Sequence, residues 1–172
     1  MKRTIALTAI AVVLAACQTT PDDPPRATAA LQPTKGSKAF GEATFEQVGD
    51  KVRVVVFAQN LPADRELGFH IHEAGDCSSG DGMSAKGHFN PHGKPHGNPS
   101  SAERHAGDLP SLKVGKDGRA KIDVTVDGIS IGKGPGDIVG RGLIIHAQAD
   151  DYKTQPTGNA GARVACGVIK AG

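Results

Sequence analysis

Six histidines and one aspartate constrain this chain more than any other feature: His70 and His72, then His88, His96, His105 and Asp108, then a lone His146. For these side chains to act together, the fold must bring three separated stretches to one place. Imidazole nitrogen is a common protein ligand for zinc and copper, and carboxylate oxygen also binds zinc. Seven such groups are too many for one tetrahedral ion. They suit two ions, the more so if one imidazole is shared.

Spacing divides the seven. His70 and His72 are two apart, which on a strand puts both rings on one face. His146 ends the run Gly142-Leu143-Ile144-Ile145, so a neighbouring strand can supply a third nitrogen. A nitrogen-rich, open set of this kind suits copper(II). His96, His105 and Asp108 fall on loop segments, and nitrogens with one carboxylate suit zinc. His88 lies between the groups and can serve either ion, or both through its two ring nitrogens. His92, within Asn90-Pro91-His92-Gly93, reads as an exposed turn residue. Other motifs fail. His72-Glu73 opens like a zinc-protease helix, but position 76 is Asp76, not a second histidine. Gly132-Lys133-Gly134-Pro135-Gly136 lacks phosphate-loop spacing and reads as a turn.

Around these residues the pattern has period two. Ala39 to Val48 alternates loosely. Val52, Val54 and Val56 alternate with Arg53 and Val55, and Ile122, Val124 and Val126 with Asp123 and Thr125. Leu67 to Glu73, Leu143 to Ala147 and Val164 to Ile169 are further short apolar runs. Val48-Gly49-Asp50, Asn60-Leu61-Pro62, Lys116-Asp117-Gly118 and Asp127-Gly128 supply turns. Several short strands with such punctuation predict an all-β sandwich or barrel. No segment has a helical period. Residues 74–107 carry neither pattern and are rich in Gly, Ser, Pro and His. A loop that long is functional or disordered, and this one holds Cys77 and three of the candidate ligands.

The N-terminus reads as targeting sequence. Lys2 and Arg3 precede an apolar run, Ile5 to Ala16, too short to span a bilayer comfortably. It ends Leu14-Ala15-Ala16-Cys17, which looks like a bacterial lipobox, so residues 1–16 are expected to be a signal peptide and Cys17 a lipidated first residue. With Gln18 after the cysteine, the expected destination is the periplasmic face of the outer membrane of a Gram-negative cell. Residues 17–36, with Pro21, Pro24, Pro25 and Pro33 and few large apolar side chains, are expected to form a disordered linker. The folded domain is then 37–172. Cleavage after Ala16 removes two bases and no acids, leaving 18 bases against 18 acids. Aromatics are 3% of the chain and no basic stripe is present, which argues against nucleic acid. In an exported setting, the two cysteines left beside Cys17, Cys77 and Cys166, are expected to form a disulfide.

Five segments then resemble one family: Gly68-Phe69-His70-Ile71-His72-Glu73, Gly87 to Pro91, Glu103 to Leu109, His146 to Asp151 and Thr157 to Ile169. In order and spacing they are similar to copper/zinc superoxide dismutase over about residues 38–170. The resemblance implies an eight-stranded Greek-key β-barrel, a sandwich-like fold with immunoglobulin-like architecture, carrying long metal-binding and disulfide loops. It implies copper on His70, His72, His88 and His146, and zinc on His88, His96, His105 and Asp108, with His88 bridging. Asp150 matches a carboxylate that ties a copper histidine to a zinc histidine. Cys77 and Cys166 match the family disulfide, and Arg163 matches an arginine beside the copper.

The implied activity is disproportionation of superoxide to dioxygen and hydrogen peroxide by a copper cycle, with His88 passing a proton and Arg163 drawing in the anion. The alternative is a periplasmic copper buffer or donor on the same barrel, which would not need Arg163. Superoxide and a membrane, through Cys17, are the partners expected, and a homodimer remains open. The stretch Tyr152-Lys153-Thr154-Gln155-Pro156 is shorter than the charged loop of the cytosolic animal enzymes, which leaves the source of electrostatic steering open.

Overall fold

The computed structural model describes residues 23–172. The expected signal peptide, residues 1–16, and Cys17 lie outside the described residues. Ten strand segments follow in order: β1 Arg26–Pro33, β2 Phe40–Val48, β3 Lys51–Gln59, β4 Arg65–Leu67, β5 Phe69–His72, β6 Leu112–Val114, β7 Ala120–Val126, β8 Gly142–His146, β9 Arg163–Val168 and β10 Lys170–Ala171. β4 and β5 are one strand interrupted at Gly68, and β9 and β10 are one strand interrupted at Ile169. The ten segments therefore make eight strands. The strand ladders are all antiparallel, in the order β5-β8-β9-β1-β2-β3-β7, with β10 on β1. β4 pairs with β6, which packs beside β7, so the sheet curls back on itself through the β4–β5 strand. The all-β Greek-key expectation is met.

The period-two runs bury their apolar face inside. Val52, Val54, Val56 and Ala58 of β3 are fully buried, as are Leu67, Phe69 and Ile71 of the broken β4–β5 strand. Their neighbours Arg53 and Val55 point out, and Arg53 meets Asp123 of β7 in a two-pronged ion pair. Among the described residues the only helical turn is the short 3-10 segment Met83–Ala85.

The linker expected over residues 17–36 does not run that far. Arg26–Pro33 is a strand, and Ala27, Ala29 and Leu31 are buried in the barrel. Its core face is built mainly of alanine, whose small side chains give little hydrophobic signal. Proline closes it at Pro33, at the strand end where a missing N–H is tolerated. β6 was also outside the expected strands, because three residues are too few to show a period.

The long loop is tied down at both ends. Cys77 and Cys166 form a disulfide across 89 residues of sequence and pack with Ala85 and Ile144 in a small second cluster. Farther on, the Gly87–Phe89 and His105–Asp108 segments run beside β5. Phe89 N–H donates to Ile71 O at 2.8 Å, Ile71 N–H to Gly107 O at 2.9 Å, and Gly107 N–H to Phe89 O at 2.9 Å. Gly107 must be glycine for this approach, since a Cβ there would lie 2.2 Å from Ile71 O.

Candidate metal centre

β5 alternates Phe69 and Ile71 into the barrel core with His70 and His72 on the opposite face, yet all four residues are fully buried. The outer face is covered because the loop folds over it. His146 arrives from the end of β8, paired with β5 so that Phe69 faces Ile145. Strands thus fix three of the histidines, and the loop delivers the other ligands onto them.

Two groups result, and they share one residue. His70, His72, His88 and His146 can place one nitrogen each within 4.8 Å of one another. So can His88, His96, His105 and Asp108 with their ligand atoms. All seven residues are buried. His92 is exposed and belongs to neither group.

The atoms facing inward have a consistent identity. His70 Nδ1, His88 Nε2 and His96 Nδ1 are buried with no hydrogen-bond partner. Buried polar atoms are normally paired, so three orphans converging on two points mark places built for ions. Around the second point His88 Nδ1, His96 Nδ1 and His105 Nδ1 lie 2.8, 3.1 and 3.3 Å from Asp108 Oδ1. His105 Nδ1 lies 3.5 Å from His88 Nδ1. Ligands about 2.0–2.2 Å from one tetrahedral zinc would sit about 3.3–3.6 Å apart. The donor set and spacing therefore fit zinc. The first point has only imidazole nitrogens, including His72 Nε2 and His146 Nε2 3.3 Å apart, and an all-nitrogen set fits copper.

The outward-facing ring atoms are held by neighbours. Asp150 receives His70 Nε2 on one oxygen at 2.7 Å and His96 Nε2 on the other at 2.9 Å, spanning both groups. His72 Nδ1 donates to Lys86 O at 2.9 Å, and His146 Nδ1 faces Gly161 O at 3.2 Å. Such outer partners fix the tautomer and leave the opposite nitrogen free for a metal. Gly158 makes room for the Asp150 bridge. A Cβ there would fall 1.8 Å from Asp150 Oδ1 and 2.6 Å from His96 Nε2, and its φ is +65°.

Charge is distributed unevenly across the two groups. Burial, with the neighbouring His70, brings His146 down to about 3. Burial likewise brings His88 down to about 4 against the opposing pull of Asp108. Burial also holds His72 well below the usual range. At neutral pH these rings are therefore neutral, as a ligand must be. His96 differs. Burial pulls it down, but Asp108 and Asp150 together outweigh that and raise it to about 9. Burial works against ionisation of Asp108, yet His105, His88 and His96 hold it well below the ordinary carboxylate range. Asp150 is held low in the same way by His70, His96 and the Tyr152 N–H.

Arg163 opens β9, opposite His146. Its guanidinium donates to Gly82 O and Lys86 O, both on the disulfide loop. Its charge bears on His72 and His146, lowering both. The seven candidate ligands, Asp150 and Arg163 thus lie in one region, and Cys77 is bonded to Cys166; Cys17 lies outside the described residues. Sequence reasoning missed the Lys86 carbonyl, Gly158, and Gln155, whose amide accepts from His96 N–H at 2.8 Å and donates to His96 O at 2.9 Å. A backbone carbonyl leaves no mark in a sequence. Gln155 lies in the shortened loop, where no spacing connects it to His96.

The family model for copper/zinc superoxide dismutase matches residues 39–169. Superoxide dismutase [Cu-Zn] 1 of Aquifex aeolicus is 43% identical over 140 residues, covering 79% of this chain and 82% of that protein. The superoxide dismutase-like protein YojM of Bacillus subtilis is 42% identical over 137 residues, covering 77% and 70%. Among solved structures, the clock protein EA4 superposes with a TM-score of 0.78 at 42% identity, over 89% of this chain and 98% of that one.

Proposed function

The chain belongs to the copper/zinc superoxide dismutase family, and on that premise we propose how its residues work. Its cofactors are copper and zinc, and its reaction converts two superoxide ions and two protons into dioxygen and hydrogen peroxide. Two four-ligand groups meeting at one histidine carry the reading. Copper, when bound, supplies the one-electron couple, and zinc supplies fixed charge without redox change.

The residues divide the remaining work. His70, His72, His88 and His146 would hold copper, and His88, His96, His105 and Asp108 would hold zinc. His88 presents Nε2 to the first group and Nδ1 to the second. Nε2 can hold a proton and hand it to the peroxide as it forms. Asp150 orients His70 and His96 together. Arg163, pinned on two carbonyls, holds a positive charge where a small anion must arrive. A copper buffer would need none of the last. The test is superoxide turnover by protein loaded first with zinc alone and then with zinc plus copper. Turnover only with copper is expected; tight copper binding without turnover would refute the dismutase reading.

The lipobox supports export and lipidation at Cys17, with the domain held at the periplasmic face of the outer membrane. Only residues 18–25 separate Cys17 from the start of β1, a reach of at most about 28 Å. The register of β1 supports an orientation as well. Its first residues, Arg26 and Ala27, pair with Glu46 and Ala171, whereas Pro33 at its far end pairs with Ala165, beside Arg163 and His146. The tether therefore joins the barrel end away from the metal groups, leaving them facing the periplasmic space. A Cys17→Ser protein recovered in the soluble fraction, with the wild type in membranes, is expected. Wild type in the soluble fraction would refute the anchor.

A further inference from the structure

Lys86 stands where its backbone suits glycine. Its φ is 63° and its ψ is −148°, close to a region that side-chain-bearing residues almost never occupy. Three hydrogen bonds hold it there. Its N–H donates to Met83 O at 3.0 Å, and its carbonyl accepts from both His72 Nδ1 and Arg163 Nη2. The neighbours of position 86 thus fix the conformation, whichever residue stands there. A glycine would satisfy the same bonds without strain, so the side chain must supply what glycine cannot.

That side chain ends in solvent, 63% exposed, with its ammonium 3.5 Å from the Glu73 carboxylate. Glu73 directly follows His72, and its N–H donates to Gly87 O at 2.9 Å, so the two segments are locked side by side. An exposed carboxylate next to the copper-type group would repel an incoming anion. Besides Lys86, the Arg141 guanidinium lies at this residue, donating to Glu73 O at 2.8 Å, but it meets the backbone carbonyl and not the carboxylate.

We propose that Lys86 is a steering residue for superoxide: its ammonium offsets Glu73 at the approach to Arg163, and the strained backbone is retained for that charge. This rests on the dismutase reading. The step is electrostatic, adding one positive charge to the field that meets the anion.

Two variants separate charge from strain. Lys86→Gln removes the charge and keeps a side chain in the strained position. Lys86→Gly removes both. In the copper- and zinc-loaded protein, both variants are expected to lose about two-fold in the rate constant for superoxide at low ionic strength, with the difference closing at high salt. Copper spectra should match the wild type in both. Thermal melting adds a second readout: Lys86→Gly should melt about 3–8 °C higher than Lys86→Gln. Glu73→Gln should speed the wild type, and in the double variant it should offset the loss caused by Lys86→Gln.

A Lys86→Gln protein with the wild-type rate and the wild-type salt dependence would overturn the steering role. Equal melting of the glycine and glutamine variants would overturn the claim of strain. Absence of turnover in the wild type would overturn the dismutase reading and the steering role with it, while the melting comparison would still report on the backbone.

Discussion

Asp150→Asn tests the link between the two metal groups most directly. The carboxylate accepts from His70 Nε2 at 2.7 Å and His96 Nε2 at 2.9 Å, and its side chain is wholly buried. An amide of the same shape accepts on one side only. Its NH2 group then faces a ring nitrogen that must become an acceptor, which moves that ring's proton to Nδ1, the atom turned toward the metal. Losing an outer partner of this kind costs about 10–100-fold in metal affinity. A second effect has the opposite sign. In the metal-free protein Asp108 and Asp150 hold His96 at about 9, so zinc must displace a proton, a handicap of roughly 100-fold at pH 7. Removing one carboxylate lightens that handicap. Zinc affinity measured against a competing chelator should therefore differ most between wild type and variant at pH 9.5, where His96 has already lost its proton. The gap should narrow toward pH 7. Equal affinities at pH 9.5, or a gap that widens on lowering the pH, would refute this account of the bridge.

Other perturbations probe separate parts. His146→Ala should abolish copper-dependent turnover while zinc content, measured by mass spectrometry of the metals, stays at one per chain; retained turnover would contradict the ligand assignment. The metal-free protein should lose stability as pH falls from 6.5 toward 4, because unfolded chains protonate His72, His88 and His146 while the folded chain keeps them neutral, with His88 at about 4, His146 at about 3 and His72 well below its usual range. The slope there is about 3 kcal/mol per pH unit for His88 and His146 together, and His72 adds in the same sense; His96, raised instead, is protonated in both states over most of that window and adds little. Urea titrations across the range check it. Replacing both Cys77 and Cys166 by serine should lower stability by about 4–5 kcal/mol on chain-entropy grounds, since the bridge spans 89 residues.

Where side chains announce themselves by type and period, the sequence was legible. Val52 to Val56 and Ile122 to Val126 alternate, and they are β3 and β7. His70 and His72 share a face because the strand period is two, and the loop histidines carry spacing enough to match a family. β1 escaped because alanine fills its core face: Ala27 and Ala29 are buried in a stretch whose prolines and threonines read as linker. Lys86 escaped for a different reason. Its contributions are a carbonyl and a pair of dihedral angles, which exist only once His72, Arg163 and Met83 have been brought to it.

That carbonyl also connects the disulfide to the chemistry. Cys77 lies before Gly82 and Lys86 in the loop, and Cys166 lies three residues after Arg163 on β9. The bridge therefore closes the segment whose carbonyls hold the guanidinium against the strand that carries it. His72 takes the same Lys86 carbonyl, so a loop that drifted from β9 would release the arginine and loosen one copper-side ring together. The zinc-side ligands are held otherwise, by Asp108, Asp150 and Gln155. Reduction of the bridge should thus weaken anion guidance and copper-side order before it touches zinc. The order of loss, turnover first and zinc last during titration with a reductant, follows from where these hydrogen bonds run. Zinc loss ahead of turnover would place the loop's hold on the zinc side instead.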